Sequence, residues 1–389
     1  MKPKYYLSLA LIFYSLIASS QTTIVGSIIS GGIVRTYRMY IPAIYNSANP
    51  VPLVFNFHGY GSNSIQQEAY GDFRPIADTA NFIIVHPQGL DIGGGAGWNC
   101  FGTIASGAAD YNFVANLIDT ISSQYNINQN KIYCTGMSNG GFMSYDMACF
   151  LSTRFAAIAS VSGSMIALHL TSCNASHPTP IMEIHGTADP VVTYTGIGGI
   201  VTCTHIDSLV KFWVNFNNCN PSPVFTALPD INLIDGCTAE HYVYSGGNNN
   251  STVEFYKIIG GGHSWPGSPY PTSNGNTNQD FQASKEIWRF FSQYSLNSLI
   301  NIKENQQEKP NIVIYPNPAQ DKITIICESA TPQSYVVSIK NIQGQLLLTN
   351  KIEIYKTLSL DLSKFSNGIY FLTLQNEKEN FVSKLVLQH

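Results

Sequence analysis

Apolar runs of strand length alternate with helix-like stretches through most of this chain, and this alternation limits the possible folds more than any other feature. The strand candidates are Leu53–Phe57, Phe82–His86, Lys131–Thr135, Phe155–Ser160, Pro180–His185 and Val253–Ile259. Between them lie helical stretches that include Tyr111–Gln124, Gly140–Leu151 and Cys203–Asn217, with Asp110 as the predicted N-cap of the first. Such an alternation predicts a mostly parallel central sheet with helices on both faces. We expect one α/β domain over residues 21–296.

The composition excludes several classes of protein. Of the 389 residues, 44% are hydrophobic and 11% are charged, and the formal net charge is -4. The apolar fraction is sufficient for a large core and is not that of a disordered chain. No block of Lys or Arg provides the positive surface that nucleic acids or anionic lipids require. We therefore expect no nucleic-acid partner, and we expect the protein to be a monomer.

The first 20 residues predict a signal peptide. Lys2 and Lys4 form a positive start, Tyr5–Ala18 is mostly apolar, and small residues precede a predicted cleavage after Ser20. A membrane anchor needs about 18–20 apolar residues, and this run is shorter and contains Tyr and Ser. The sequence predicts export, with no transmembrane segment in the mature chain.

A polar segment that ends at Pro310 predicts a linker over residues 297–311, followed by a small β-sandwich over 312–389. The tail contains Tyr315-Pro316-Asn317-Pro318, then Asn367-Gly368-Ile369-Tyr370, then Lys384-Leu385-Val386. With these motifs it resembles the type A C-terminal sorting domain of type IX secretion in Bacteroidetes. The resemblance implies the secretion machinery as a partner, and a protein that is extracellular or attached to the outer cell surface.

Eight cysteines, all beyond the signal peptide, predict disulfide bonds in an oxidising compartment. Cys134, in a strand candidate, and Cys327, in the tail, are expected to be unpaired. The other six are Cys100, Cys149, Cys173, Cys203, Cys219 and Cys237, and several pairings remain open. Cys219 with Cys237, which would close a short loop, is the preferred single pair. No Cys-x-x-Cys spacing indicates a metal site, and none is expected.

The segment Gly136-Met137-Ser138-Asn139-Gly140 is a G-x-S-x-G motif between a predicted strand and a predicted helix. In α/β hydrolases this sharp turn raises the serine above the sheet, and glycines at both ends prevent collisions. The motif and its setting predict that Ser138 is a nucleophile.

A nucleophilic serine needs a base, and the base needs a carboxylate that orients it. His263 follows the last strand candidate and Asp189 follows the preceding one, in the order Ser, Asp, His that α/β hydrolases use. We predict these as base and orienting carboxylate. The strand-end histidines His185 and His86 are interpreted as structural.

Two other aspartates are possible third members of the triad. Asp207 lies within a helix pattern and Asp235 within a cysteine-bounded loop, so Asp189 is preferred.

The backbone N–H groups of Tyr60 and Asn139 are predicted to form an oxyanion hole. Asn139 follows the nucleophile, and Tyr60 lies in His58-Gly59-Tyr60-Gly61, where α/β hydrolases place the second donor. His58 is expected to support this loop. Trp98 and Trp265 either form an aromatic wall for the substrate or are ordinary packed tryptophans, and both interpretations stay open.

The catalytic region resembles the secreted polyhydroxybutyrate depolymerase-like and feruloyl esterase-like enzymes of carbohydrate esterase family 1. The matching stretches are His58-Gly59, Gly97–Cys100, Asp110–Val114, Thr135–Gly141, His185–Val191 and Gly260–Gly267. The resemblance implies a triad of Ser138, Asp189 and His263, an acyl-enzyme mechanism and no cofactor.

Three functions follow, in order of preference. The first is hydrolysis of feruloyl or acetyl esters of plant cell-wall polysaccharide, and the second is depolymerisation of polyhydroxybutyrate or another polyester. The third is a non-catalytic surface protein that binds glycan on a hydrolase scaffold. The third ranks last because every catalytic part is present in the sequence.

Overall fold

The computed structural model describes residues 21–102, 104–270, 272–299, 312–327, 333–354, 356–376 and 380–389. The chain divides into two compact units, Met1–Asn301 and Ile302–His389. The predicted signal peptide and residues 300–311 of the predicted linker lie outside the described residues. Among the described helices, none has the length and apolar character that a membrane span requires.

Within the described residues, the first unit is built on a ten-stranded sheet. The strands of this unit are β1 (Thr22–Ser30), β2 (Ile33–Ile41), β3 (Val51–Phe57), β4 (Ile83–Pro87), β5 (Leu90–Asp91), β6 (Ala96–Gly97), β7 (Ile127–Met137), β8 (Ala157–Val161), β9 (Ile181–Gly186), β10 (Val224–Ala227), β11 (Thr238–Tyr244) and β12 (Val253–Ile259). The sheet order is β1-β2-β4-β3-β7-β8-β9-β12-β11-β10, while β5 and β6 form a separate hairpin. The central strands from β4 to β12 in this order pair in parallel, and the outer pairs are antiparallel.

Helices cover both faces of this sheet, as predicted. They are α1 (Ser64–Tyr70), α2 (Arg74–Ala80), α3 (Ile104–Gln124), α4 (Asn139–Phe150), α5 (Ala167–Ser172), α6 (Ile206–Phe216), α7 (Ala283–Phe291) and α8 (Leu296–Leu299), with short 3₁₀ turns at Ser152–Arg154 and Asn248–Asn250. Because strand side chains alternate, Phe55 packs in the cluster with α3, α4 and α6, whereas its neighbour Val54 packs in the cluster with α2 and α7. The strands thus contribute to a core on each side.

Asp110 is not the N-cap of its helix. Helix α3 begins at Ile104, so Asp110 lies inside it. Its buried carboxylate pairs with the Arg35 guanidinium at 2.8 Å and accepts a hydrogen bond from the Asn99 backbone N–H at 3.0 Å. The prediction was wrong because this acidic group satisfies a buried arginine rather than a helix end.

The second unit contains only strands among its described residues. These are β13 (Ile312–Tyr315), β14 (Lys322–Cys327), β15 (Gln333–Asn341), β16 (Leu346–Ile354), β17 (Lys356–Asp361), β18 (Gly368–Gln375) and β19 (Asn380–Leu387). They form two antiparallel sheets, β13-β14-β17 and β16-β15-β18-β19. Ile323 and Ile325 from the first sheet share one buried cluster with Val337 and Leu372 from the second. The predicted small β-sandwich is therefore present.

One disulfide bond joins Cys149 to Cys173 among the described residues, and it links the last turn of α4 to the segment after α5. The preferred pair, Cys219 with Cys237, was wrong, and both thiols are free. Cys219 belongs to the hydrophobic cluster on one face of the sheet and Cys237 to the cluster on the other. Proximity in sequence was a poor guide because the sheet separates them. Cys134 is buried and free, as predicted.

Candidate active site

Ser138 occupies a strained turn between β7 and α4. Its backbone has φ 56° and ψ −122°, a conformation that few non-glycine residues adopt. A Cβ on Gly136 would lie 2.6 Å from the Phe57 carbonyl oxygen, and one on Gly140 would lie 2.1 Å from it. Both glycines of the motif are therefore required by the close approach of β3 to this turn.

Asp189 and His263 form a buried hydrogen-bonded pair. Nδ1 of His263 lies 2.8 Å from Oδ2 of Asp189. The other carboxylate oxygen, Oδ1, accepts hydrogen bonds from the backbone N–H groups of Val191 and Val192 at 2.8 and 2.9 Å. These two bonds fix the carboxylate, so that Oδ2 faces the imidazole. With its Nδ1 proton held by Asp189, the imidazole keeps a lone pair on Nε2 and can act as a base.

Ser138 and His263 line the same open cleft, which has a volume of about 370 Å³. Each of the three residues follows the carboxyl end of a different parallel strand: Ser138 follows β7, Asp189 follows β9 and His263 follows β12. The topology places these ends along one edge of the sheet, as the sequence predicts. Ser138, His263 and Asp189 are therefore all located at this edge.

The loop after β3 approaches the nucleophile closely. A Cβ on Gly59 would lie 3.3 Å from the Cβ of Ser138. His58 holds this loop from inside: its Nε2 accepts from the Gly89 N–H at 2.9 Å, so Nδ1 carries the proton and donates to the Gly59 carbonyl at 2.8 Å. Burial lowers the pKa of His58, in accord with a neutral ring. His58 supports the loop, as the sequence analysis proposed.

Asn139 connects the nucleophile turn to a second loop. Its side-chain Oδ1 accepts from the Trp98 backbone N–H at 2.7 Å, and its Nδ2 donates to the Trp98 carbonyl at 3.0 Å. The Asn139 side chain is thus fully used in holding this loop. Its backbone N–H is in the first turn of α4, where N–H groups lack intrahelical partners and can bind an anion.

Trp98 does not form a wall of the cleft. The side chain is completely buried, its Nε1 donates to the His58 carbonyl at 2.9 Å, and its ring packs edge-on against Phe57. Of the two interpretations of Trp98, the structure agrees with a packed tryptophan and not with a substrate contact, because the aromatic ring faces the core rather than the solvent. Trp265 lines the cleft although it is only 3% exposed, and its Nε1 donates to Ser284.

Three tyrosines that the sequence analysis did not single out by their side chains also line the cleft: Tyr60, Tyr70 and Tyr270. Tyr60 and Tyr270 are about half exposed, and the Tyr60 hydroxyl donates to the Gly93 carbonyl at 2.5 Å. Tyr60 was predicted only for its backbone N–H. Irregular loops carry no periodic pattern, so no signal in the sequence indicates which way these rings point.

The competing residues have other partners. Asp207 accepts a hydrogen bond from the Tyr194 hydroxyl, and Asp235 accepts from the backbone N–H groups of Cys237 and Gln279. His86 is fully buried, and burial lowers its pKa to about 3. In the described parts of the chain, no group of three or more His, Cys, Asp or Glu side chains could hold a metal ion.

Fold and site together define the class of the first unit, an α/β-hydrolase. Residues 106–203 match the family of Phospholipase/Carboxylesterase, and residues 313–388 match the Secretion system C-terminal sorting domain. By these matches the first unit is similar to carboxylic ester hydrolases, and the second unit is similar to a sorting domain of type IX secretion, which directs a protein to the cell surface or beyond it.

Curated relatives include Feruloyl esterase D of Neurospora crassa, which is 27% identical over 273 residues that make up 67% of this chain and 82% of that protein. A bifunctional acetylxylan esterase/xylanase of Neocallimastix patriciarum is 26% identical over 271 residues, 70% of this chain. The match spans about a third, 35%, of that longer protein. Among solved structures, an acetyl xylan esterase from Aspergillus awamori is 15% identical, with a TM-score of 0.48 over 70% of this chain and 99% of that one.

Proposed function

We propose that Ser138, His263 and Asp189 form the catalytic triad of a secreted carboxylic ester hydrolase. The observation that carries this proposal is the 2.8 Å contact between Nδ1 of His263 and Oδ2 of Asp189, beside a cleft that Ser138 also lines. Ser138 Oγ attacks the ester carbonyl while Nε2 of His263 takes its proton. The same proton then passes to the leaving alcohol, and water hydrolyses the acyl-enzyme through the reverse proton transfers.

The negative charge that develops on the carbonyl oxygen needs hydrogen-bond donors. We assign this role to the backbone N–H groups of Tyr60 and Asn139. The loop of Tyr60 lies against Ser138 and is held by His58, and Asn139 opens helix α4 directly after the nucleophile. Both donors are thus fixed before the substrate arrives, which is the condition for effective stabilisation of an oxyanion.

The proposed substrates are feruloyl or acetyl esters of plant cell-wall polysaccharide. The names of the curated relatives support this class, and so does the shape of the site. An open cleft admits an acyl group carried by a bulky polymer. The half-exposed rings of Tyr60 and Tyr270, with the small exposed part of Trp265, offer apolar surface to a phenolic acid or a sugar ring.

A panel of methyl ferulate, acetylated xylan and a 3-hydroxybutyrate trimer tests the substrate class. We expect kcat/KM on at least one of the first two to exceed that on the trimer by about tenfold or more, because the exposed rings of Tyr60 and Tyr270 suit a phenolic acid or a sugar ring better than a short aliphatic ester. Release of ferulate, acetate and hydroxybutyrate is measured by chromatography. A preference for the trimer would assign the enzyme to polyesters, and binding to xylan with no hydrolysis of any ester, p-nitrophenyl acetate included, would show a non-catalytic scaffold.

A truncation tests the proposed division into a signal peptide (1–20), an esterase domain (21–296), a linker (297–311) and a sorting domain (312–389). Removal of residues 301–389 should leave a folded esterase with nearly full activity when another export signal is supplied, because each unit has its own core. In a host with type IX secretion, the truncated enzyme should accumulate in the periplasm. Normal release of the truncated protein into the medium would contradict the role of the tail. Size-exclusion chromatography of the same samples checks the expected monomer.

A further inference from the structure

A second buried histidine, His185, lies beside the proposed triad. Its Nε2 is 3.7 Å from Oδ2 of Asp189, the same oxygen that accepts the hydrogen bond from His263. The side chains of His185 and Asp189 are both 0% exposed. At this distance and with both groups buried, a positive charge on His185 would act directly on the Asp189 carboxylate.

Both ring nitrogens of His185 face acceptors. Nε2 lies 2.8 Å from the Val192 carbonyl oxygen, and Nδ1 lies 3.0 Å from Oε1 of Glu183. A carbonyl oxygen only accepts, so Nε2 carries a proton. The second proton sits between Nδ1 and Glu183, whose other oxygen already accepts from the Tyr145 hydroxyl at 2.7 Å. The adjacent Asp189 carboxylate favours this proton on the ring, because the ring is then positive.

We propose that His185 is a positioning residue for ester hydrolysis: a buried imidazolium, held by Glu183, that keeps Asp189 ionised and moderates the strength with which Asp189 attracts the proton of His263. This inference rests on the proposed triad. The arrangement extends inward from His263, which is hydrogen-bonded to Asp189, to His185, which lies 3.7 Å from Asp189 and is hydrogen-bonded to Glu183. It also gives a role to the carboxylate of Glu183, which is fully buried beside His185.

The surroundings of His185 are consistent with a charged ring. Burial disfavours the charge, but the hydrogen bond and the charge of Glu183, together with the charge of Asp189, raise the pKa of His185 above its usual value. The other titratable groups nearby are Tyr145 from α4, Tyr194 and Cys203 from the loop after Asp189, Lys257 from β12, and His263, with His205 and Asp207 at the far side of Tyr194. The ammonium group of Lys257 lies over the Tyr194 ring.

The consequence is a pH dependence. Without the positive ring, Asp189 would be a stronger acceptor and would hold the protonated form of the catalytic base more tightly. The base must be neutral to take the serine proton. Loss of the charge on His185 therefore moves the acidic limb of the kcat/KM profile to higher pH, with little effect where the base is already neutral.

The test is the pH profile of kcat/KM for p-nitrophenyl acetate in His185→Gln and Glu183→Gln. We expect the acidic limb to move to higher pH by about one unit in both variants. At pH values below the limb, kcat/KM is then lowered about tenfold. The alkaline plateau should stay within about threefold of that of the unmodified enzyme. A folded variant whose plateau falls without movement of the limb would overturn the proposal, because it would reveal a structural role only.

His169→Gln is the matched control. His169 is also buried and also pairs with a buried carboxylate, Asp146, at 2.7 Å, but none of its hydrogen bonds reaches Asp189 or His263. The acidic limb of the kcat/KM profile of His169→Gln should coincide with that of the unmodified enzyme. An equal shift in this variant would show that loss of any buried histidine moves the profile, and would overturn the proposal.

A measurement on the unmodified protein covers the case in which the variants do not fold. Nitrogen-15 NMR of the histidine rings should show both nitrogens of His185 protonated at a pH on the alkaline plateau, and a neutral His185 ring would overturn the proposal.

Labelling by a fluorophosphonate, mapped by mass spectrometry, distinguishes a failure of the His185 proposal from a failure of the proposed triad. If Ser138 is labelled and the acidic limb of the kcat/KM profile does not move in the variants, only the role of His185 is contradicted. If the label is on another residue, the triad itself is contradicted.

Discussion

Ser138→Ala is expected to abolish ester hydrolysis and to leave the fold intact. The substitution removes Oγ, the only atom that can form the acyl-enzyme in the proposed mechanism, from a side chain that faces the cleft. Loss of a triad member should reduce kcat by about 10⁴–10⁶. The measurement is the steady-state rate on p-nitrophenyl acetate and on the best ester of the substrate panel, with circular dichroism to verify the fold.

Ser123→Ala is the control for this experiment. Ser123 is an exposed serine in the last turn of α3, where its hydroxyl donates to the Thr120 carbonyl, and it is not among the residues that line the cleft. Its activity should equal that of the unmodified enzyme. If folded Ser138→Ala retained more than a few per cent of the activity, the assignment of the nucleophile would be wrong.

Asp189→Asn should lower kcat by roughly 10⁴. The asparagine oxygen can still accept from the Val191 and Val192 N–H groups, and its NH₂ group then faces Nδ1 of His263. Two donors cannot share this contact, so the imidazole proton moves to Nε2. The base then has no lone pair for Ser138, although every side chain remains in place.

The matched variant is Asp207→Asn, which removes the charge of a competing aspartate that binds Tyr194 instead of His263. We expect its kcat to remain within about threefold of the unmodified value. Nearly full activity in Asp189→Asn, or a large loss in Asp207→Asn, would mean that another carboxylate orients the base. Rates are compared on the alkaline plateau, so that a shift in the pH profile is not mistaken for a loss of kcat.

The central strands could be predicted from the sequence and the outer strands could not. The six parallel strands are buried on both faces, and such strands appear as continuous apolar runs. Strands β1 and β10 at the sheet edges are mostly exposed or half-buried, so their sequences mix polar and apolar residues without a strong pattern. Helices α1 and α2 have seven residues each, too few for a clear helical period.

The residues of the proposed triad could be selected from the sequence because triad chemistry demands a fixed order and a fixed setting. Ser138, Asp189 and His263 each follow a predicted strand, and parallel strands end along one edge of the sheet. The direction of a side chain within a loop follows from packing and is not encoded by spacing. This is why the sequence left open whether Trp98 contacts the substrate, and why it gave no indication of Tyr270. His185 was interpreted as structural, and its nearness to Asp189 depends on the turn after β9.

The residues of the proposed triad lie one to four residues beyond the ends of three strands, whereas Tyr270, an exposed ring of the cleft, lies eleven residues beyond the end of β12. The spacing of the paired strands holds the first group in place, and no such ladder constrains Tyr270. The loop that carries Tyr270 can therefore be exchanged to change the acyl group that is accepted, without any change to the proposed triad or oxyanion hole. We therefore expect the preference for one ester over another and the ability to cleave an ester to depend on different parts of the fold, so that each can change without the other.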